Sequence, residues 1–291
     1  MSSKEKILFI VNPISGTRGK LLIEDLIQQS LDLHRFEPQI HNTTGRGDAT
    51  LAAKKATLDG FKIAVAVGGD GTINEVAQGL LDSDTVLGVI PRGSGNGFAN
   101  YFNIPKKPEK AISLLNKGTI QTIDTGSLND RLFLSVCGLG FDAHVSREFD
   151  NFGSRGLLSY VWISFKEFFK YRPGTYQIQI EEETFEKDAF LVTVANSSQF
   201  GNDAYIAPGA KIDDGLLDLV IVKPLNALQG MEFTYRLFTR SLEKFKKAEI
   251  YKAKTVRITH NDTTAQVDGE PVTVPQQLNI SIKPGTLKVL A

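Results

Sequence analysis

Apolar residues in this chain fall into short unbroken runs separated by longer amphipathic stretches. Ile7-Leu8-Phe9-Ile10-Val11 stops at Asn12-Pro13, Ile63-Ala64-Val65-Ala66-Val67 stops at a glycine pair, and the run Val86 to Ile90 stops at Pro91. Runs this short, closed by turn residues, read as strands buried on both faces. Between them, Leu22, Ile23, Leu26, Ile27 and Leu31 recur at helical spacing and predict a helix over 19–33. Two more helices are expected, Asp48 to Leu58 and Thr72 to Leu81, with a short strand at Gln39-Ile40-His41. Strands that alternate with helices imply βαβ units and a parallel sheet.

After about residue 125 the period changes. Strands are expected over 131–138, 176–183, 189–196, 216–223, 255–260, 264–267 and 278–283, separated by short turns. Helical stretches near 153–170 and 227–247 interrupt them. The pattern predicts an α/β domain over 1–125 and a β-rich antiparallel sandwich domain over 126–291, with the last few residues free to return to the first. The 291 residues agree with two domains.

Composition narrows the function classes. Hydrophobic residues make up 41% and charged residues 23%, enough for a sizeable core, which excludes disorder. Lys plus Arg number 33 and Asp plus Glu number 33, which argues against a generally basic nucleic-acid binder. Cys137 is the one cysteine, so an internal disulfide and a multi-thiolate zinc site are excluded. No secretory apolar region and no membrane-spanning run is present, so the expected location is cytoplasmic and peripheral to the membrane.

Three strand ends carry unusual loops: Asn12-Pro13-Ile14-Ser15-Gly16, Gly68-Gly69-Asp70-Gly71-Thr72 and Gly93-Ser94-Gly95-Asn96-Gly97. In open α/β sheets, ligands bind beyond the carboxyl ends of the strands. Glycines let the backbone approach an anion and point N–H groups at it, and the helix after Gly71 adds its positive end. Asp70 would repel a phosphate directly, so its expected job is to hold a cation or orient the acceptor. No Gly-x-x-x-x-Gly-Lys-Ser/Thr loop and no dinucleotide fingerprint after the first strand is present.

Gly68-Gly69-Asp70-Gly71-Thr72-Ile73-Asn74-Glu75 resembles the hallmark of the diacylglycerol kinase catalytic family, which also includes sphingosine and ceramide kinases. Asn12 to Gly16, Thr43 with Gly47-Asp48-Ala49, Asp213-Asp214-Gly215-Leu216-Leu217-Asp218 and Asp268-Gly269-Glu270-Pro271 match its other motifs in order. The resemblance implies an ATP-dependent lipid kinase with its active site in a cleft between domains, acting on diacylglycerol to give phosphatidic acid. It implies that ATP is held by Asn12, Pro13, Ile14, Ser15, Gly16, Thr43, Gly69, Asp70, Gly71, Thr72, Ile73, Asn74, Glu75 and Ser94. It further implies a magnesium ion on Asp214 with the carbonyls of Lys211 and Leu216, and Glu270 as general base with Asp70 assisting. One departure stands out: Gly97 lies where many bacterial members carry an acidic residue, a form more like that of sphingosine kinases.

Read from the residues alone, Asp213-Asp214-Gly215 and Asp268-Gly269 are first of all turns, the second a two-residue hairpin turn, and Asp213-Asp214-Gly215 can also make an oxygen cage. Phe149, Phe152, Tyr160, Trp162, Phe165, Phe168, Phe169 and Tyr171, interleaved with Arg147, Arg155, Lys166, Lys170 and Arg172, are read as either core or a lipid-facing surface. His34, His41, His144 and His260 have no metal-ligand spacing. The expected partners are ATP, a lipid and a membrane surface, with a homodimer left open and no nucleic acid. A sphingoid-base kinase, an NAD kinase-like enzyme and an inactive nucleotide-binding regulator remain the alternatives.

Overall fold

The computed structural model describes residues 4–15, 23–152 and 157–291. The chain divides into two compact units, Met1–Ile123 with Gly285–Ala291, and Asp124–Pro284. Element order and strand pairing give an N-terminal α/β domain and a C-terminal antiparallel β domain.

The first unit runs β1 (Glu5–Val11), α1 (Ile23–Ser30), β2 (Phe36–Asn42), α2 (Asp48–Leu58), β3 (Ile63–Gly68), α3 (Asp70–Leu80), β4 (Val86–Pro91), α4 (Gly97–Tyr101), α5 (Pro108–Leu115) and into β5 (Ile120–Leu128). The sheet order is β2-β1-β3-β4, parallel throughout. Every residue of β3 and β4 is buried, as their unbroken apolar runs require. The α2 pattern gave its ends correctly. Helix α3 starts at Asp70, earlier than periodicity suggested, because Gly69 is extended and serves as its N-cap. Helices α2 and α3 lie so close that a Cβ on Gly79 would meet the Thr50 carbonyl at 2.5 Å and the Ala53 Cβ at 2.7 Å. Helices α4 and α5 and strand β5 were not expected from the pattern. The part of the predicted first helix before Ile23 lies outside the described residues.

The second unit continues with β6 (Arg131–Phe133), β7 (Val136–Gly140), α6 (Phe141–Asn151), α7 (Leu157–Phe168), β8 (Gly174–Ile180), β9 (Glu183–Ala189), β10 (Leu191–Ala195), β11 (Gln199–Gly201), β12 (Ala204–Tyr205), β13 (Leu217–Val222), α8 (Ala227–Phe238), β14 (Ala248–Ala253), β15 (Thr255–Thr259), β16 (Thr264–Val267), β17 (Glu270–Thr273) and β18 (Gln277–Leu290). One antiparallel sheet has the order β14-β13-β10-β7-β16-β17. A second face is built from β18, β15, β8 and β9. Leu139, Val192, Val194 and Leu219 from the first pack with Ile178, Val256, Ile258 and Leu278 from the second in one buried cluster, the core of a sandwich.

Three strand expectations are corrected. The strand over 131–138 is two, because the chain leaves the β5–β6 pair and joins the other sheet as β7. At that switch the N–H groups of Leu134, Ser135 and Val136 all donate to the Asp268 carboxylate. Strand β8 ends at Ile180, and the left-handed Glu181 turns the chain back as β9, a charge-rich strand that apolar pattern does not reveal. Strand β18 runs on to Leu290, where Val289 pairs in parallel with Leu87 of β4.

Candidate functional site

In the first unit, parallel pairing puts the ends of β1, β2, β3 and β4 along one sheet edge. Asn12, Thr43, Gly69 and Ser94 follow those ends. The loops are bonded together. Asn12 donates its backbone N–H to Val67 O at 3.0 Å and its Nδ2 to Thr72 Oγ1 at 3.2 Å. Thr43 N–H donates to Val11 O at 2.8 Å, and Arg92 N–H to Gly68 O at 2.7 Å. A Cβ on Gly69 would lie 3.2 Å from Gly93 Cα, so the second and third loops touch through their backbones. Asn96, in the left-handed region, closes the third loop by accepting from Gly93 N–H and donating to Gly93 O. Asp70 Oδ1 accepts from Phe98 N–H at 3.4 Å.

Not every expected residue presents a side chain there. Ile73 is wholly buried, and its N–H bonds Gly69 O at 3.0 Å inside the helix. Glu75 Oε1 accepts from the N–H of Gly47, at 3.0 Å, and thereby fixes the turn before α2. Ile14 is 90% exposed, Pro13 precedes it on the first loop, and Ser15 Oγ donates to Asn12 O. Gly71 and Asn74 lie in the first turns of α3. Gly16 lies outside the described residues.

The acidic loop of the second unit is equally specific. Asp124 is buried, and its Oδ2 accepts from Gly215 N–H at 2.7 Å. Asp214 Oδ1 accepts from Leu216 N–H at 3.1 Å. Asp214 Oδ2 and Asp218 Oδ2 both receive the Lys252 ammonium, at 3.2 and 3.0 Å. Burial raises the Asp218 carboxyl above its usual value, although Lys252 opposes this. The expected donors, one Asp214 carboxylate and the carbonyls of Lys211 and Leu216, are all hard oxygens, the type that magnesium takes. A cation there must share Asp214 with Lys252. Among the described residues, no three His, Cys, Asp or Glu side chains group as a metal cluster.

Glu270 opens β17, directly after a two-residue hairpin turn in which Asp268 and Gly269 have φ of 48° and 87°. That is the geometry of a tight hairpin, and glycine tolerates it at no steric cost. The Asp268 carboxylate takes the three N–H groups of 134–136 at 2.8–3.1 Å, so Asp268 anchors the turn and leaves Glu270 exposed.

Several residues were missed by sequence reasoning. Asp142, at the start of α6, is buried beneath this hairpin, and burial pushes its carboxyl up to about 7. Its sequence signal was a buried-type strand, Val136–Gly140, ending in Gly-Phe-Asp. Asn196 Oδ1, Ser197 Oγ and Gln199 Oε1 are buried without hydrogen-bond partners among the described residues, an unusual concentration for four consecutive positions. No pattern in the sequence marks them.

The aromatic segment divides. Phe168 packs on Phe141 and Phe190, and its ring covers Gly230 of α8. Val161, Trp162, Phe165 and Phe169 face outward, with Lys166 over the Trp162 ring at 5.4 Å. Helix α8 adds Leu228, Met231, Tyr235 and Phe238, all exposed and spaced along one face. Arg155 lies outside the described residues. The histidines stay apart: His144 bonds Glu167 at 3.1 Å, and His41 bonds Asp48 at 3.2 Å. Among the described residues, no helix is long and apolar enough to cross a membrane.

The chain thus joins an α/β unit with three bonded loops at one sheet edge to a β-sandwich unit. Residues 6–128 match the diacylglycerol kinase catalytic domain, and residues 135–291 match the YegS C-terminal NAD kinase beta sandwich-like domain. The chain is 34% identical to a diacylglycerol kinase of Bacillus subtilis over 224 residues, 75% of this chain and 73% of that one. It is 28% identical to a diacylglycerol kinase of Staphylococcus saprophyticus, covering 92% of this chain and 89% of the other. A crystal structure of a diacylglycerol kinase from Bacillus anthracis superposes with a TM-score of 0.75 at 24% identity, over 100% of this chain and 98% of that one, and so shares the fold. The chain belongs to the diacylglycerol kinase family of lipid kinases.

Proposed function

We propose that this protein transfers the γ-phosphoryl group of ATP to the free hydroxyl of diacylglycerol, giving phosphatidic acid and ADP. The observation that carries the reading is the joining of the three glycine loops at one edge of the parallel sheet, in a chain of this family. Backbone N–H groups there and the positive end of α3 suit the triphosphate. Asn12, Pro13, Ile14, Ser15, Gly16, Thr43, Gly69 to Glu75 and Ser94 form the ATP site. Ile73 and Glu75 act in it by holding the loops. Magnesium, when bound, would neutralise phosphate charge, and Asp214 with the Lys211 and Leu216 carbonyls would hold a second such ion.

Glu270 takes the proton as the lipid hydroxyl oxygen bonds to the γ-phosphorus and the bond to ADP breaks. Asp70 would assist by holding the cation that accompanies ATP. The membrane docking surface is the outward face of α7 and α8. Trp162, Phe165 and Phe169 beside Lys166 supply an apolar body with a cationic rim, which suits an anionic lipid interface. The protein therefore works as a peripheral enzyme.

The test is transfer of labelled γ-phosphate to a panel of diacylglycerol, ceramide, sphingosine and NAD. Diacylglycerol should be the preferred acceptor by kcat/KM. Preference for sphingosine would fit the Gly97 departure and overturn the acceptor. Transfer to NAD alone, or none at all, would overturn the lipid kinase reading.

A further inference from the structure

A fully buried carboxylate is costly, and a sandwich core would hold an apolar residue more cheaply. The fold nevertheless makes room for Asp142. A Cβ on Gly138 would come within 2.5 Å of Asp142 Oδ2 and 3.1 Å of Thr193 Oγ1, so β7 gives up a side chain to seat the carboxylate. The carboxylate accepts from Ala143 N–H at 2.8 Å, from the Thr193 hydroxyl at 3.0 Å and from Gln266 Nε2 at 3.3 Å. Gln266 is itself buried, and its Oε1 accepts from Gly269 N–H at 2.9 Å. Both ends of this amide are therefore engaged. One end faces Asp142, and the other holds the residue immediately before Glu270.

We infer that Asp142, acting through Gln266, is a positioning residue that sets the conformation of the Asp268-Gly269-Glu270 turn. The inference rests on the reading of Glu270 as the base. The chemistry is a matter of donors and acceptors. An ionised Asp142 accepts from the Gln266 amide NH₂, which leaves the amide oxygen for Gly269. A protonated Asp142 presents an O–H donor to the same amide. If the amide turns to accept it, its NH₂ faces the Gly269 N–H, donor against donor, and the turn loses a hydrogen bond. Asp268 still ties the turn to 134–136, so the change is a local shift in the aim of Glu270. Burial places the Asp142 proton near neutrality, where the switch matters. The titratable groups sharing its surroundings are Cys137, which feels both Asp142 and Asp268, and the Tyr160 and Tyr171 phenols. Nearby, His144 and Lys170 both bond the Glu167 carboxylate.

The experiment follows the Gly269 amide resonance of the full-length ¹⁵N-labelled protein from about pH 5 to about pH 9. It is done in the Glu270→Gln background, so that the Glu270 carboxyl cannot contribute. The Gly269 signal should titrate near neutrality, and Asp142→Asn should flatten it. Thr193→Val, which removes a hydrogen bond to the charged form, should move the midpoint upward and serves if Asp142→Asn does not fold. In the otherwise native enzyme, Asp142→Asn and Gln266→Leu should each lower kcat roughly ten- to a hundredfold with KM for ATP unchanged. A Gly269 amide that does not titrate, or full kcat in both variants, overturns the inference. Full activity of Glu270→Gln alone would instead remove the base assignment and leave the Gly269 titration standing.

Discussion

Gly69 illustrates how one missing side chain can carry a site. Its Cα faces Gly93 across two loops, and even a methyl group there would sit 3.2 Å from that backbone. Gly69→Val should therefore push the loops apart and weaken ATP binding by at least about tenfold, measured by calorimetry on folded protein. Unchanged affinity would remove the loops from the nucleotide site. Glu270 has a different kind of importance, because it is exposed on a turn whose shape is imposed by Asp268 and Gln266. Glu270→Gln keeps the hydrogen-bonding shape and removes the carboxylate proposed as the base. It should lower kcat by about 10²–10⁴ and leave ATP affinity intact. If Glu270→Gln keeps most of its kcat while Asp70→Asn is inactive, the base is Asp70.

Helices α7 and α8 have two faces with opposite fates. Ile163, Phe168 and Phe233 turn inward, whereas Trp162, Phe165, Leu228, Met231 and Tyr235 are exposed. Exposed apolar stripes on adjacent helices cost solubility, and they are expected where a lipid surface covers them. Replacing Trp162 and Phe165 with Ser should reduce binding to anionic vesicles while the melting temperature stays near wild type. A large fall in melting temperature would return these side chains to packing. The sequence placed the aromatics on a helix but left open which of them face the core. Only the contact of Phe168 with Gly230 and Phe190 settles it, because helical spacing fixes faces and not the partner that covers them.

Two carboxylates pull the stability of the protein in opposite directions with pH. Lys223, Tyr251 and Lys187 hold the Glu249 carboxyl down to about 2, so its contribution is present above its ordinary range and fades as pH falls toward 2. Asp142 is raised to about 7 by burial. Its contribution is complete below the ordinary carboxylate range and is lost as pH rises through about 7. Asp142→Asn should therefore gain stability relative to wild type at pH near 8 and gain none near 4, read from denaturant midpoints. Stability gained together with activity lost is the signature expected of a strained functional group. Equal midpoint differences at both pH values would show that Asp142 is not titrating in the folded protein.

The sequence by itself determined the βαβ order of the first unit, the change to antiparallel strands near residue 125, and the loops that mark the family. Local pattern suffices there, because a strand buried on both faces must be apolar throughout and a tight loop near an anion must be rich in glycine. It did not reveal β9 or the break between β6 and β7, since a charged edge strand has no apolar pattern and a sheet switch depends on which strand lies alongside. Tertiary structure alone decided that Glu75 serves Gly47, that Lys252 sits on Asp214 and Asp218, and that Asp142 reaches Gly269 through Gln266. Each of these joins residues 28 to 124 positions apart. A hydrogen bond of that kind is set by the packing of whole strands and helices, which no local window of sequence contains.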